Sequence, residues 1–251
     1  MNSEARLRLT GVTKSYGAVK ALENISLEVG VGEVVGLVGD NGAGKSTTVK
    51  IISGAISPDG GQIEFEGSPR HWASPRDAQL AGIETLYQDM GLAPDLSVAA
   101  NVFLGREVRR GGLLGRLGFF NTKAMEERAA KALDELKVKV PPGDYPASDL
   151  SGGQRQAVAI AKSITWARKL LLLDEPTNHL GVTGTREVLE LLKRIRDSGV
   201  SILFISHTIP HVLALADRIV VLWQGQLAAT MNAADATVES VVAEITGARV
   251  A

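Results

Sequence analysis

The chain has 251 residues, 45% of them apolar and 22% charged, with 27 basic against 28 acidic side chains and a net charge of −1. That length buries a core without staples, and the absence of cysteine excludes disulfides, thiolate metal sites and cysteine nucleophiles. The balanced charge leaves only local patches to attract nucleic acid or an anionic bilayer, and the longest apolar runs, such as Ile219 to Trp223, fall far short of the roughly 20 residues that span one.

The N-terminus, Met1 to Arg6, lacks the apolar core of a signal peptide, so a soluble protein held at any membrane by a partner is expected. Leu7-Arg8-Leu9 and Ile25-Ser26-Leu27-Glu28-Val29 alternate apolar with polar residues, which predicts half-exposed strands. Glu33-Val34-Val35-Gly36-Leu37-Val38 is apolar without alternation and suits a strand buried on both faces of a parallel sheet. A helix is predicted over Thr47 to Ile52. From about Gln88 to Trp166 helical patterns dominate, with helices over Thr122 to Leu136 and Gly152 to Thr165. Gly105 to Lys123 carries Arg106, Arg109, Arg110, Arg116 and Lys123 against the lone acid Glu107, a local charge of +4 interleaved with Leu113, Leu114, Phe119 and Phe120. It reads equally as a mobile solvated loop or as a contact for a partner. Pro141-Pro142-Gly143 marks a loop. Buried strands return at Leu170 to Leu173 and at Ser201 to Ile205. Between them Val188, Leu189, Leu192 and Ile195 fall at helical spacing within Thr185 to Asp197. Strands alternating with helices predict an α/β domain with a parallel sheet, into which the middle of the chain inserts a helical subdomain.

Gly39-Asp40-Asn41-Gly42-Ala43-Gly44-Lys45-Ser46 fits G-x-x-x-x-G-K-[ST], directly after a buried strand and before the helix that opens near Thr47. Glycines let successive backbone N–H groups turn inward as an anion nest, and the helix N-terminus adds partial positive charge. Lys45 can reach β- and γ-phosphates and the Ser46 hydroxyl can ligate Mg²⁺; a glycine-rich turn that binds nothing is the other reading. In Leu170-Leu171-Leu172-Leu173-Asp174-Glu175 a buried strand delivers Asp174 to hold Mg²⁺ and Glu175 to polarise a water. Alone this would be a plain core strand with solvated end charges, but behind the cradle it indicates a nucleotide hydrolase. No guanine-specific N-K-x-D follows, which favours ATP.

Leu150-Ser151-Gly152-Gly153-Gln154 resembles the signature motif of the ATP-binding cassette (ABC) ATPases. In order with the cradle, Gln88, Glu175 and His207, the resemblance extends from Leu7 to about Gln226. It implies a P-loop NTPase core with a mostly parallel sheet, an antiparallel β-subdomain and an inserted α-helical subdomain. The whole would be one domain over 1–251, with the core at 1–88 and 166–251 and the helical part at about 89–165. The resemblance also implies a head-to-tail dimer. ATP held by Gly39, Asn41, Gly42, Ala43, Gly44, Lys45, Ser46 and Thr47 of one copy would meet Ser151, Gly152, Gly153 and Gln154 of the other. Tyr16 would stack on adenine, although a tyrosine packed at a strand end is the alternative. Ser46, Gln88 and Asp174 would ligate Mg²⁺, Glu175 would activate water, and His207 with Lys45 would contact the γ-phosphate. His71, His179 and His211 have no such placement and are expected to be structural or surface residues.

Gly181 stands where most members of the family carry an aspartate that contacts the other subunit. Leu180-Gly181-Val182, Leu96 to Glu107 and Ile205 to Val212 are similar to the ATPases of monosaccharide importers, whereas Asn178-His179-Leu180 is similar to the translation-factor branch. The expected function is therefore the ATP-hydrolysing subunit of a bacterial sugar importer, with ATP and Mg²⁺ as cofactors and no nucleic acid partner. It would lie on the cytoplasmic face of the cell membrane as a homodimer when ATP-bound. Transmembrane permease subunits would dock near Gln88, and a sugar-binding protein would act indirectly. The alternatives are a ribosome-associated ATPase and a regulatory nucleotide-binding module of low turnover.

Overall fold

In the computed structural model, which describes residues 5–87, 91–136, 138, 140, 145–178 and 180–247, the first two strands run further than their alternation predicts. β1 (Ala5–Tyr16) and β2 (Val19–Gly30) are 12 residues each. The alternation lapses after Leu9 because the register with β2 shifts between Leu9 and Val12, where Gly11 takes φ 63°. Such a bulge adds one residue and returns Val12 to the buried face beside Leu7 and Leu9.

The chain continues through β3 (Val34–Gly39), α1 (Lys45–Ile52), β4 (Gly60–Phe65), β5 (Ser68–Arg70), α2 (Pro75–Ala81) and β6 (Ile83–Leu86). A helical region follows, with α3 (Val98–Val102), α4 (Gly112–Arg116), α5 (Thr122–Glu135) and α6 (Gly152–Trp166). The last part alternates β7 (Leu170–Asp174), α7 (Val182–Asp197), β8 (Ser201–Ile205), α8 (Ile209–Leu215), β9 (Arg218–Trp223), β10 (Gln226–Asn232) and α9 (Val238–Thr246). Two sheets result. One is antiparallel, in the order β2-β1-β4-β5. The other has the order β10-β9-β3-β8-β7-β6 and is parallel except for its β10 edge.

The non-alternating strands are buried on both faces, as their composition requires. Val35, Leu37, Leu170, Leu172, Leu203 and Ile205 face the antiparallel sheet and share a core with Val49, Ile51 and Ile52 of α1. Their neighbours Val34, Val38, Leu171, Leu173, Ile202 and Phe204 face the other way, onto Val188, Leu191, Leu192 and Ile195 of α7 and Val212 and Leu215 of α8. Each such side chain contributes roughly 2–3 kcal/mol by burial, which makes the parallel sheet the main source of stability.

The helical region has small cores of its own. Val98, Leu133, Leu150, Val158 and Ala161 form one, and Val102, Phe103, Met125 and Ala129 another. Trp166 closes the second edge-on to Phe103, with ring centroids 5.5 Å apart, and donates its indole N–H to the Val102 carbonyl at 3.0 Å. Asn101 is fully buried and fixes the preceding chain through Ala93, bonding both its N–H and its carbonyl. Residues 105–123 are not a bare loop. Arg109 and Phe120 pair as an antiparallel bridge, and Asn121 N–H donates to the Val108 carbonyl at 2.7 Å.

One ion pair joins this region to the parallel sheet. The Glu84 side chain on β6 is 8% exposed, and its carboxylate meets the Arg106 guanidinium, which lies 4.8 Å from the centroid of Trp166. Burial raises the Glu84 carboxyl above its ordinary value, and Arg106 pulls it back down. Removing Arg106 strands a buried carboxylate. Arg106→Ala is expected to destabilise the chain by about 2 kcal/mol, lowering Tm by about 4–8 °C. Adding Glu84→Gln should recover at least half of that loss in thermal denaturation. No recovery would place the stabilisation in stacking on Trp166 rather than in charge.

Candidate functional site

Strand register brings Gly39, Asp174, Glu175 and His207 to one place. β8 lies between β3 and β7, and Ile205 is level with Leu37 on one side and Asp174 on the other. Gly39, Glu175 and His207 follow those three positions by one or two residues, so all leave the sheet at one edge. That edge is formed by the carboxyl ends of parallel strands, the usual ligand crevice of α/β sheets.

The segment from Gly39 to Gly44 wraps over this edge. Gly39 has φ 151°, and a Cβ there would lie 2.3 Å from the Leu222 carbonyl oxygen of β9, so only glycine lets the two backbones approach. Gly44, at φ 105°, caps α1 without any side-chain cap, leaving first-turn N–H groups to face an anion. The left-handed cap also explains why α1 starts at Lys45, two residues before the predicted Thr47. Ala43 is buried and Asn41, Gly42 and Ser46 are exposed, while Thr47 is half-buried. The Lys45 ammonium is buried and donates to the carbonyls of Gly39 at 2.8 Å and Asp40 at 2.9 Å. Burial lowers its pKa, against the pull of Glu175, Asp174 and Asp40. A cation hydrogen-bonded to two carbonyls beside an open helix terminus is available to an incoming phosphate. Tyr16 is half-exposed at the end of β1, paired with Val19. Two pairs along the same hairpin, Leu22 packs on Gly44, so Tyr16 ends a strand that flanks the cradle.

The acids behave unequally. Burial and the neighbouring Glu175 push the Asp174 carboxyl above its ordinary value, while Ser46, Lys45 and Lys50 lower it. Glu175 adopts φ 54°, a left-handed conformation that costs a non-glycine residue about 1–2 kcal/mol. Its N–H donates to the Ile205 carbonyl at 3.0 Å. One carboxylate oxygen lies 3.1 Å from His207 Nδ1 and the other accepts from the Asn178 amide, so both are held. His207 itself is mostly exposed.

Two partners escaped the sequence reading. The sequence marks Asn178 only as similar to the translation-factor branch, and His211 as a structural or surface residue. Yet Asn178 N–H closes a turn onto the Glu175 carbonyl at 3.1 Å, and Thr177 Oγ1 lies 3.2 Å from His211 Nδ1. Burial, with some repulsion from His207, lowers the His211 pKa. The missed signal was the Glu-Pro-Thr-Asn spacing, since proline at the second position of a turn brings the first and fourth residues together.

Ser151 caps α6. Its hydroxyl accepts from Gln154 N–H at 3.3 Å, and Gln154 Oε1 accepts from Ser151 N–H at 2.9 Å, forming a capping box. Gly152 and Gly153 thus form the first turn of α6. A Cβ on Gly153 would lie 3.5 Å from Gly184 Cα, so the first turns of α6 and α7 touch. Gly181 caps α7 in an extended conformation without a side-chain cap. Among the described residues no hydrogen bond joins Ser151, Gly152, Gly153 or Gln154 to the cradle. Gln88 and His179 lie outside the described residues. His71 is exposed. Among the described residues no three His, Asp or Glu side chains cluster as a metal cage.

Residues 22–178 match the ABC transporter family model. The chain is 43% identical, over 99% of its length and 96% of the relative's, to a fructose import ATP-binding protein of Rhizobium meliloti. It is 45% identical to a xylose/arabinose import ATP-binding protein of Sulfolobus acidocaldarius, over 96% of this chain and 93% of that one. Among solved structures it is similar to the dimeric ATP-binding cassette MJ0796 in a post-hydrolysis state with ADP and phosphate. The TM-score there is 0.76 and the identity 25%, over 90% of this chain and 98% of that one.

The raised Asp174 pKa carries a stability consequence. A carboxyl whose folded pKa exceeds its unfolded value stabilises below the unfolded pKa, and loses that contribution as pH rises through the folded one. At neutral pH the ionised Asp174 is therefore a cost. Asp174→Asn should melt a few degrees above the unsubstituted protein at neutral pH without nucleotide, and the gap should close in acid. Melting temperatures that coincide at every pH would refute the assignment.

Proposed function

The chain belongs to the ABC transporter family, and from that premise we propose that it is the ATP-hydrolysing subunit of an importer that drives uptake of a monosaccharide. The reading is carried by the convergence of Lys45, Ser46, Asp174, Glu175 and His207 on one sheet edge. The import ATP-binding relatives that run nearly the full length of the chain support it.

ATP phosphates settle on the N–H groups from Gly39 to Thr47, including Asn41 and Ala43. The Lys45 ammonium then exchanges the carbonyls of Gly39 and Asp40 for the β- and γ-phosphates. Tyr16 stacks on the adenine. Mg²⁺, when bound, neutralises charge on the β- and γ-phosphate oxygens. Ser46, Asp174 and Gln88 would hold it, a fit supported by a Ser46 hydroxyl that lies beside the half-buried carboxylate of Asp174. Few protein ligands are what this ion takes when phosphates and water complete its shell. Glu175 accepts the proton of the attacking water while His207 and Asn178 hold its two oxygens. With the carboxylate fixed, little reorganisation remains at the moment of reaction.

A second, head-to-tail copy completes the site by bringing its own Ser151-Gly152-Gly153-Gln154 helix terminus to the γ-phosphate. Gly181 supplies no carboxylate to this interface, so coupling between the copies falls to the helix termini. Asn178 has a local task in holding Glu175, so its presence does not require the translation-factor branch. We divide the chain into a core of 1–88 and 166–251 and a helical subdomain of about 89–165. No described helix is long and apolar enough to cross a membrane. Permease subunits would therefore hold the protein at the cytoplasmic face, docking near Gln88. The groove lined by Arg76, Gln79, Leu80, Arg106 and Trp166 adjoins β6 through Glu84 and suits that contact. A sugar-binding protein acts only through the permease.

Glu175→Gln should bind ATP yet turn over at least 100-fold more slowly, because it removes the proton acceptor of a general-base step. It should also accumulate as an ATP-dependent dimer by size-exclusion chromatography and, purified from native membranes, retain a multi-span permease. Turnover like that of the unsubstituted protein would remove Glu175 from the role, and ribosomal proteins in place of a permease would refute the importer reading. Gly153→Asp has room for its Cβ, and an acidic residue suits a first helical turn. That variant should bind ATP as a monomer and lose hydrolysis, since its carboxylate would face the γ-phosphate of the other copy. Normal hydrolysis would overturn the composite site.

A further inference from the structure

The excursion between α3 and α5 takes no part in the nucleotide chemistry, yet it is built to present apolar side chains. Leu113 is 72% exposed, Leu117 65% and Phe119 55%, and Leu114 and Phe120 beside them are also exposed. Arg109, Arg110, Arg116 and Lys123 are exposed around them, and no acid occurs from residue 108 to residue 123. The scaffold beneath is closed. Arg110 N–H donates to the Phe119 carbonyl at 2.9 Å, Phe119 N–H to the Leu114 carbonyl at 3.0 Å, and Leu117 N–H to the Leu113 carbonyl at 3.0 Å. Gly115 packs so tightly on the Arg110 carbonyl that a Cβ would lie 1.7 Å from its oxygen.

We propose that this tip is a bilayer contact, in which Leu113, Leu117 and Phe119 enter the interfacial layer and the arginines bind the phosphates of anionic lipid headgroups. Three observations favour lipid over a protein partner. The exposed apolar residues at the tip are leucines and phenylalanines beside exposed arginines, the composition of an interfacial lipid-binding face. Several of the excursion's backbone groups bond within it, Arg110 N–H to the Phe119 carbonyl and Asn121 N–H to the Val108 carbonyl among them, which leaves little strand edge for a peptide to extend. Four positive charges without an acid repel a second copy but match a negative surface. A short basic and apolar segment of this kind gives weak, reversible attachment that is sensitive to lipid composition. The inference does not depend on the reading of the nucleotide site.

The full chain would be sedimented with vesicles of phosphatidylcholine alone and of phosphatidylcholine mixed with phosphatidylglycerol. It should bind the anionic vesicles, release as salt is added, and leave the neutral ones untouched. Arg109→Gln with Arg110→Gln and Arg116→Gln should weaken partitioning by about 100-fold, at roughly fivefold per charge. Leu117→Ser with Phe119→Ser should weaken it about tenfold or more. All five positions are exposed, and ATP hydrolysis by the purified variants reports that they are folded. Absence of binding by the unsubstituted chain, equal binding to both vesicles, or variants that bind like it would each overturn the proposal. Loss of a co-purified permease in the variants, with no vesicle binding by the unsubstituted chain, would reassign the tip to a protein contact. Failure of ATP hydrolysis in the unsubstituted protein would count against the nucleotide reading alone.

Discussion

Parallel pairing of β8 between β3 and β7 is the constraint on which the rest of the structure depends. Leu37, Ile205 and Asp174 share one level of the sheet, so the chain leaves three strands at one edge with Gly39, Glu175 and His207. A slip of one residue in either pairing would carry core leucines to the opposite face and misplace the chemistry with them. The same buried side chains that stabilise the sheet therefore fix the distances among Gly39, Glu175 and His207 on which the proposed hydrolysis relies.

The site built on that edge is a place of local cost. Asp174 is desolvated beside a second acid, Glu175 holds a left-handed backbone, and Lys45 is buried against carbonyls. The desolvation of Asp174 and Lys45 is unfavourable in the isolated chain and is what a polyanion with its counter-ion would offset, whereas the backbone of Glu175 is a local steric cost. The core behind β3, β7 and β8 is what sustains them. The Asn178 and His207 bonds to Glu175 are a different device, holding the carboxylate proposed as proton acceptor still rather than raising its energy.

The helical region is joined to the main core chiefly through α6, whose Ala159 and Ile160 are fully buried in it. It has two small cores of its own, α6 contributes to both it and the main core, and the Arg106–Glu84 pair bridges it to β6. From that bridge the chain runs directly into the apolar and basic tip. The groove proposed for the permease and the tip proposed for lipid thus begin at the same residues, so both contacts would act on one unit.

Much of this was legible in the sequence. Uninterrupted apolar runs marked the buried strands, the spacing from Gly39 to Ser46 pointed to the proposed cradle, and Leu150 to Gln154 pointed to the family, because each is a local pattern whose physics is complete within a few residues. Bulges in β1 and β2 hid the length of those strands, since an inserted residue breaks the alternation on which the reading relies. Only the tertiary structure decided that Asn178 holds Glu175, that Thr177 meets His211, and that Arg106 crosses to Glu84. It also decided that the stretch from Gly105 to Lys123 is closed on itself rather than bare loop. Those are meetings of polar side chains and turn backbones with no periodicity to announce them, and they exist only once packing of the apolar positions has fixed where each segment lies.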